Sequence, residues 1–299
     1  MPWRRESLDK QERIEREVDK YLKRGVIERV PRRLVKWQSA VVLVKKGEDD
    51  VRLCVDMRQV NKAVLDEKYP LLTIEELQGR LAGSTLFSVL DLKDAFHHIE
   101  LDEDAKDLTT FVTTSGAYRF RVLTFGLKTA SEIFQKIMMQ IVLLGLLGLA
   151  IYIDDIIVYG KTVEEHDERL RLLLERLEAM NIQLNERKSQ IRQKIVKFVG
   201  HEISAEGIKP AAEKVELIRK FKAPENKEHL RSFLGLVGYV MGRQRPDETG
   251  ATKLLRSLTQ APGPFEWDEE HAAAFEYLKS SAENVVSLGF FDKNDRTRL

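Results

Sequence analysis

The sequence holds a single cysteine, Cys54, so no intrachain disulfide can form and nothing points to an oxidising compartment. Cys54 sits in the apolar run Leu53-Cys54-Val55, the setting of a small buried thiol rather than of a nucleophile. Net charge is also nearly absent: 49 Lys/Arg against 48 Asp/Glu leave +1, which by itself announces no polyanionic partner. No apolar run reaches the roughly 20 residues of a membrane helix. The strongest, 141–153 (IVLLGLLGLAIYI), falls short and runs into two aspartates, so it reads as a helix end followed by a buried strand. The N-terminus is charged and lacks the apolar core of a signal peptide. Ser-His-Asp order, a Cys-x-x-C pair, a Gly-rich phosphate loop and an internal repeat are all missing. These absences predict a soluble, intracellular chain, cytoplasmic in the simplest case, with no membrane partner.

What is present is an ordinary globular composition, 43% hydrophobic, with a high charged fraction of 32%. At 299 residues the chain can build one large core or several small ones. The charges are unevenly spread. Residues 1–36 hold 12 Lys/Arg against 7 Asp/Glu, and residues 185–222 hold 10 against 5. Between them, residues 86–110 hold 7 Asp/Glu against 2 Lys/Arg. Two basic flanks about an acidic centre suit a phosphate backbone lying over a metal-binding floor, although plain solvated helices give the same pattern.

Ile14, Val18, Tyr21 and Leu22 share one helical face and Gly25 follows as a stop, which predicts a helix over about 8–24. The β-rich runs 40–44 and 51–55 predict a hairpin with a charged tip, Lys45-Lys46-Gly47-Glu48-Asp49-Asp50. Thr73 with Glu76, and Thr162 with Glu165, form capping boxes for a short helix closed by Gly83 and a long one reaching about 180. Residues 86–90 read as a strand ending at Asp91, 108–113 and 117–122 as a hairpin about Ser115-Gly116, and 130–144 as a helix. Residues 149–159 read as two short strands flanking Asp154-Asp155, and 196–203 as a strand. Helices are then expected over 210–221, 226–239 and 268–283, so a mixed α/β half gives way to a helical one near 205–210. The polar, aperiodic stretch 242–250 (GRQRPDETG) reads as a loop.

The strongest local signal is LAIYIDDIIVY, 149–159, where adjacent aspartates interrupt a continuous apolar run. Two ionised carboxylates buried without partners would cost many kcal/mol, so they must surface at a strand turn, bind a cation, or both. A two-residue turn would put the pair at its tip, yet Asp-Asp is a poorer turn former than Asp-Gly. Asp91, at the end of its own apolar strand, supplies a third hard oxygen ligand. Mg²⁺ favours such a set, one or two carboxylates per ion with water and phosphate completing the shell. Two such ions serve phosphoryl transfer, which asks chiefly for positioning and charge neutralisation.

Taken together, the segments resemble a known family. YIDD on a hairpin resembles the Tyr-x-Asp-Asp box of reverse transcriptases, and VLDLKDAFHHIEL (89–101) resembles their first catalytic box. RLCVDMRQVNKAVLDEKYPLLTIEEL (52–77) and YRFRVLTFGLKTASEIFQ (118–135) look like the fingers and template-grip boxes, and FVGHEISAEGIKP (198–210) like the primer grip. Order and spacing agree over roughly residues 10–240. The likeness is greatest to gypsy-type LTR retrotransposon Pol polyproteins.

The resemblance implies an α+β right-hand polymerase: fingers over 1–85 and 102–130, a palm with an antiparallel sheet and packed helices over 86–101 and 131–205, a helical thumb over 206–260, and the start of a connection region over 261–299. It implies addition of dNTPs to a primer 3′-OH on an RNA or DNA template, inside a retroelement particle. Asp91, Asp154 and Asp155 would be catalytic and hold two Mg²⁺ ions, with Mn²⁺ as an alternative. Lys46 and Arg52 would grip the triphosphate, Phe96 would act as steric gate against the 2′-hydroxyl, Phe125 would lie beside the base, and Lys188 would meet the phosphates late. Phe198, Val199, Gly200 and His201 would hold the primer strand. His97 and His98 stay structural. The family usually has proline where Thr124 and Ser131 stand, which should loosen the template grip about Phe125. The stretch 242–250 replaces an aromatic-apolar helix continuation in relatives. No protease, integrase or RNase H carboxylate pattern is present, so a fragment or decayed copy of a longer polyprotein is expected. Two other readings stay open: an inactive nucleic-acid-binding remnant, and a metal-dependent phosphohydrolase that reuses the same carboxylates.

Overall fold

The structure is a computed structural model, and it describes residues 7–31, 35, 37–45, 51–242 and 250–283. Helix α1 (Leu8–Lys23) leads into strand β1 (Ile27–Val30), followed by β2 (Val41–Lys45) and β3 (Val51–Val55). Helices α2 (Val60–Ala63) and α3 (Ile74–Leu81) precede β4 (Leu86–Asp91), a 3₁₀ turn (Ala95–His98) and α4 (Glu103–Leu108). Next come β5 (Phe111–Val112), β6 (Ala117–Phe120) and α5 (Ala130–Ile137), which runs into a π-helical turn (Met138–Val142). Strands β7 (Leu149–Tyr152) and β8 (Asp155–Gly160) precede the long helix α6 (Val163–Ala179). Four short strands follow, β9 (Gln190–Gln193), β10 (Ile195–Phe198), β11 (His201–Ser204) and β12 (Gly207–Pro210). The last described elements are α7 (Ala212–Arg219), α8 (Lys227–Met241), α9 (Ala251–Gln260) and α10 (Glu269–Glu283). No helix among the described residues is long and apolar enough to cross a membrane.

The strands form sheets of order β1-β6-β5, β2-β3, β10-β11-β12 and β7-β8-β4-β9. The chain divides into two compact units that alternate along the sequence, and among the described residues only helices follow β12. The first comprises the described residues of Met1–Leu72, Leu90–Ile156 and Arg171–Ser189. Its core gathers Ile14, Val18 and Tyr21 of α1 with Leu53, Val55, Phe111, Tyr118 and Phe120. The apolar stripe of α1 faces that core, and the helix stops as its sequence predicts. Gly25 turns left-handed at φ 68°, its N–H bonds Leu22 O, and Val26 N–H bonds Tyr21 O, the two bonds of a Schellman ending.

The second unit comprises the described residues of Thr73–Val89, Ile157–Leu170 and Gln190–Leu299. Its helical core packs Ile218, Leu230, Phe233, Leu255, Phe275 and Leu278. The capping box of α3 is present in both directions, Glu76 N to Thr73 Oγ1 at 3.2 Å and Thr73 N to Glu76 Oε2 at 3.0 Å. At α6, Thr162 Oγ1 accepts from Glu165 N (3.2 Å), while Glu165 Oε2 accepts from Lys161 N (2.6 Å).

Several local expectations need correction. Leu108 ends a helix rather than starting a strand: Asp102 caps it by accepting from Ala105 N (2.7 Å), with Glu103 and Asp104 in the favourable first turn, and this leaves β5 two residues long. The run 196–203 is a hairpin, because Val199 and Gly200 both take positive φ, 48° and 68°. A Ser-His-Asp arrangement does occur. Ser88 Oγ lies 2.9 Å from His166 Nε2, and His166 Nδ1 lies 3.0 Å from Asp167 Oδ1. Ser88 and His166 are fully buried, Ser88 Oγ accepts from Arg192 N (2.9 Å), and Arg192 also pairs with Asp167. The group cross-braces β4, α6 and β9 within the second unit, with its serine and imidazole buried. Of the expected loop 242–250, residues 243–249 lie outside the described residues, as do 284–299 of the expected connection region.

Candidate active site

Three carboxylates from distant parts of the chain meet in the first unit. Asp91 is the last residue of β4 and Asp155 the first of β8. The tight turn between β7 and β8 consists of Ile153 and Asp154, so it lies one residue earlier than an Asp-Asp tip would require. Ile153 takes φ 53°, a conformation that β-branched side chains resist. The Leu92 N–H donates to Asp154 O at 2.9 Å, which fastens the residue after Asp91 to the turn. Beyond Asp91, residues 183–189 run alongside. Lys93 N bonds Gln183 O (2.9 Å), Asn185 N bonds Asp91 O (2.8 Å), and Asp91 N donates to Ser189 Oγ (3.2 Å). This segment brings Lys188 Nζ to 3.4 Å from Asp91 Oδ2.

The electrostatics confirm that the three acids share one field. Burial, then the charges of Asp91 and Asp154, push the Asp155 carboxyl up to about 6, with Lys188 opposing. Asp154 Oδ1 is shielded from solvent. A divalent cation would relieve the repulsion that raises Asp155, and the donors are hard oxygens of the kind Mg²⁺ takes, so the residues fit such an ion. Among the described residues, no three acidic, histidine or cysteine side chains stand close enough to enclose an ion as they are. Carboxylates in this arrangement could supply only part of a coordination shell, with water and phosphate oxygens completing it.

Residues 44–203 match the reverse transcriptase (RNA-dependent DNA polymerase) family. The chain belongs to that family. An uncharacterized protein of Caenorhabditis elegans is 40% identical over 247 residues, which are 82% of this chain and 19% of that protein. The retrovirus-related Pol polyprotein from transposon 412 of Drosophila melanogaster is 32% identical over 289 residues, 94% of this chain and 23% of the polyprotein. The chain thus spans about a fifth of the length of these curated relatives. A foamy viral protease-reverse transcriptase, solved in complex with double-stranded DNA, superposes with a TM-score of 0.87 at 23% identity, covering 98% of this chain and 51% of that one. The fold is the α+β right-hand polymerase fold.

Other positions that the reverse transcriptase resemblance singles out fall as follows. Phe96, in the 3₁₀ turn after β4, is buried with its ring 4.8 Å from that of Phe125 and 5.6 Å from that of Phe134. His97 packs edge-on against Tyr21, and His98 Nε2 lies 3.0 Å from Lys93 O, so both have structural work. Thr124 is buried, and the loop carrying Phe125 is tied by Asn61, which donates to Gly126 O (2.8 Å) and accepts from Lys128 N (3.0 Å). Lys46 lies outside the described residues. The backbone of Arg52 pairs with Val44 in the β2–β3 hairpin, while its side chain lies outside the described residues. Phe198 and His201 face each other across the β10–β11 turn in the second unit, both buried. Burial pushes the His201 imidazole pKa down, against a 2.8 Å contact with Val199 O. Tyr239 OH donates to the same Val199 O at 2.5 Å.

Sequence reasoning missed Asn61, Asn185, Ser189 and Gln135. Gln135, buried in α5, donates from Nε2 to Ile151 O and accepts at Oε1 from Ile153 N, both at 2.9 Å. An amide near the end of an apolar helical run was the available signal; its partners, 16 and 18 positions on, were not.

Proposed function

We propose that the chain is an RNA-directed DNA polymerase that adds dNTPs to a primer 3′-OH on an RNA or DNA template. The observation that carries this reading is the coupling of Asp91, Asp154 and Asp155 in one field, within a reverse transcriptase family chain. In the step, the primer 3′-oxygen bonds the α-phosphorus, the bond to the pyrophosphate oxygen breaks, and the hydroxyl proton passes to solvent water. Asp91, Asp154 and Asp155 would hold two Mg²⁺ ions, or Mn²⁺, which when bound favour the 3′-alkoxide and neutralise the leaving pyrophosphate.

The chain's own groups set the geometry. Lys188, 3.4 Å from Asp91, would meet the phosphates late in the cycle. Phe96, wedged against Phe125 and Phe134, would fill the space that a ribose 2′-hydroxyl needs. Phe125 would lie beside the incoming base. Lys46 and Arg52 on the first hairpin would close over the triphosphate. The turn from Phe198 to His201 would hold the primer strand. In this reading 1–85 and 102–130 are fingers, 86–101 and 131–205 palm, 206–260 thumb and 261–299 the start of a connection region. Its partners are an RNA or DNA primer–template and dNTPs, inside a retroelement particle. Purified chain, given Mg²⁺, dNTPs and a primed RNA template, is expected to extend the primer and to release no pyrophosphate when the primer is omitted. Phosphate release without a primer would favour a phosphohydrolase instead.

A further inference from the structure

The turn bearing two of the three carboxylates is held in a conformation its own sequence opposes. Ile153 is the first of the two turn residues and takes φ 53°; glycine is the residue suited to that position. A strained backbone of this kind persists only where its surroundings over-determine it. Among the described residues one side chain holds the strained residue by its own N–H. Gln135 reaches from α5 and bonds the β7 side of the turn twice, donating to Ile151 O and accepting from the Ile153 N–H, each at 2.9 Å. Gln135 and Ile151 are buried and Ile153 half-buried, so Ile151 O has no solvent as a substitute and the Ile153 N–H is partly screened. An amide is the right chemistry, because it offers a donor and an acceptor from one rigid plane. From the other side, Leu92 N holds Asp154 O at 2.9 Å. Asp154 is thus set between the strand end carrying Asp91 and the bracket made by Gln135.

We infer that Gln135 is a positioning residue for the acidic centre: its amide imposes the left-handed turn on Ile153 and thereby sets where Asp154 and Asp155 stand. The inference builds on the polymerase reading for its kinetic consequence, but the bracket itself stands on hydrogen bonds alone. Gln135→Leu keeps the volume and removes both bonds. The isoleucine should then leave its strained conformation and the carboxylates should shift by a fraction of a turn residue. A misplacement of about 1 Å costs on the order of 100-fold in rate, and the loss should appear in kcat with KM for dNTP little changed.

The test compares wild type, Gln135→Leu, Gln135→Glu and the double variant Gln135→Leu/Ile153→Gly. Primer extension, Mn²⁺ binding to the chain alone by electron paramagnetic resonance, and hydrogen exchange over 149–158 are measured on each. Gln135→Leu should exchange faster at the Ile153 amide, bind Mn²⁺ about tenfold more weakly and lose about 100-fold in kcat. Gln135→Glu keeps the acceptor and should fall between it and wild type. Glycine at 153 takes the positive φ without strain, so the double variant should recover most of the Mn²⁺ affinity and of kcat. That recovery separates positioning from a general packing defect, which a change at Ile153 would not repair. Unchanged exchange and Mn²⁺ affinity in Gln135→Leu would overturn the inference, and so would a loss that Ile153→Gly leaves in place. If wild type extends no primer, the polymerase reading falls, and the Mn²⁺ comparison still decides the bracket.

Discussion

The Asp155 carboxyl is the single group with most to say about what this centre is for. It loses a proton less readily in the folded chain than in the unfolded one, raised from 3.8 to about 6 by burial and by its two acidic neighbours. A carboxyl raised in this way favours the folded state when protonated. Its penalty is absent below the unfolded value of 3.8 and grows as pH rises through about 6. After allowance for its partial exposure, the penalty at pH 8 is on the order of 1–2 kcal/mol. Asp155→Asn should therefore raise the melting midpoint at pH 8 without divalent metal, and the gain should shrink as pH falls from 6 towards 4. Added Mg²⁺ should stabilise wild type and leave Asp155→Asn largely unaffected. A variant less stable than wild type at pH 8 would mean that the carboxylate is favourably paired without a cation. Also at this scale, Phe96→Ala should raise incorporation of ribonucleotides relative to deoxyribonucleotides by about tenfold or more. Competing dNTP and rNTP in one extension reaction reads this directly, and unchanged sugar selectivity would remove Phe96 from the gate.

At the level of elements, the periodic features were legible. The stripe and stop of α1, the capping box of α3, the Thr162 cap of α6, the β2–β3 pair and the strand ending at Asp91 all follow from spacing, caps and β-rich runs. What could not be read are the places where a β-branched residue sits at positive φ. Ile153 moves the aspartate-bearing turn one residue earlier than Asp-Asp would place it, and Val199 hides a hairpin turn inside an apolar run. Both residues are bonded by side chains far along the chain, Gln135 to Ile153 N and Tyr239 to Val199 O, and local propensity carries no trace of such partners. Close approach is equally invisible. A Cβ added at Gly160, the end of β8, would stand 2.7 Å from His166 N in α6. Backbone cannot yield as a flexible side chain can, so Gly160→Ala should cost about 2 kcal/mol or more. Urea unfolding within about 0.5 kcal/mol of wild type would show that strand and helix have room to part.

For the whole molecule, an overall charge of +1 gave no hint of a nucleic-acid partner, and the family emerged from the order of several boxes. The three aspartates were legible because carboxylates at the ends of apolar strands need a reason to be there. The supports of Asp91, namely Asn185 and Ser189, became visible only in three dimensions, as did the tie of Asn61 to the Phe125 loop. The central claim is that these acids, meeting from distant segments, perform template-directed nucleotide addition. Its most direct measurement sets primer extension beside filter binding for wild type and Asp154→Asn, with Mg²⁺ and a primed RNA template. Wild type should extend, whereas Asp154→Asn should bind the primer–template equally well and extend it about a thousandfold more slowly. Equal extension by both chains, or binding without extension by wild type, would contradict the account.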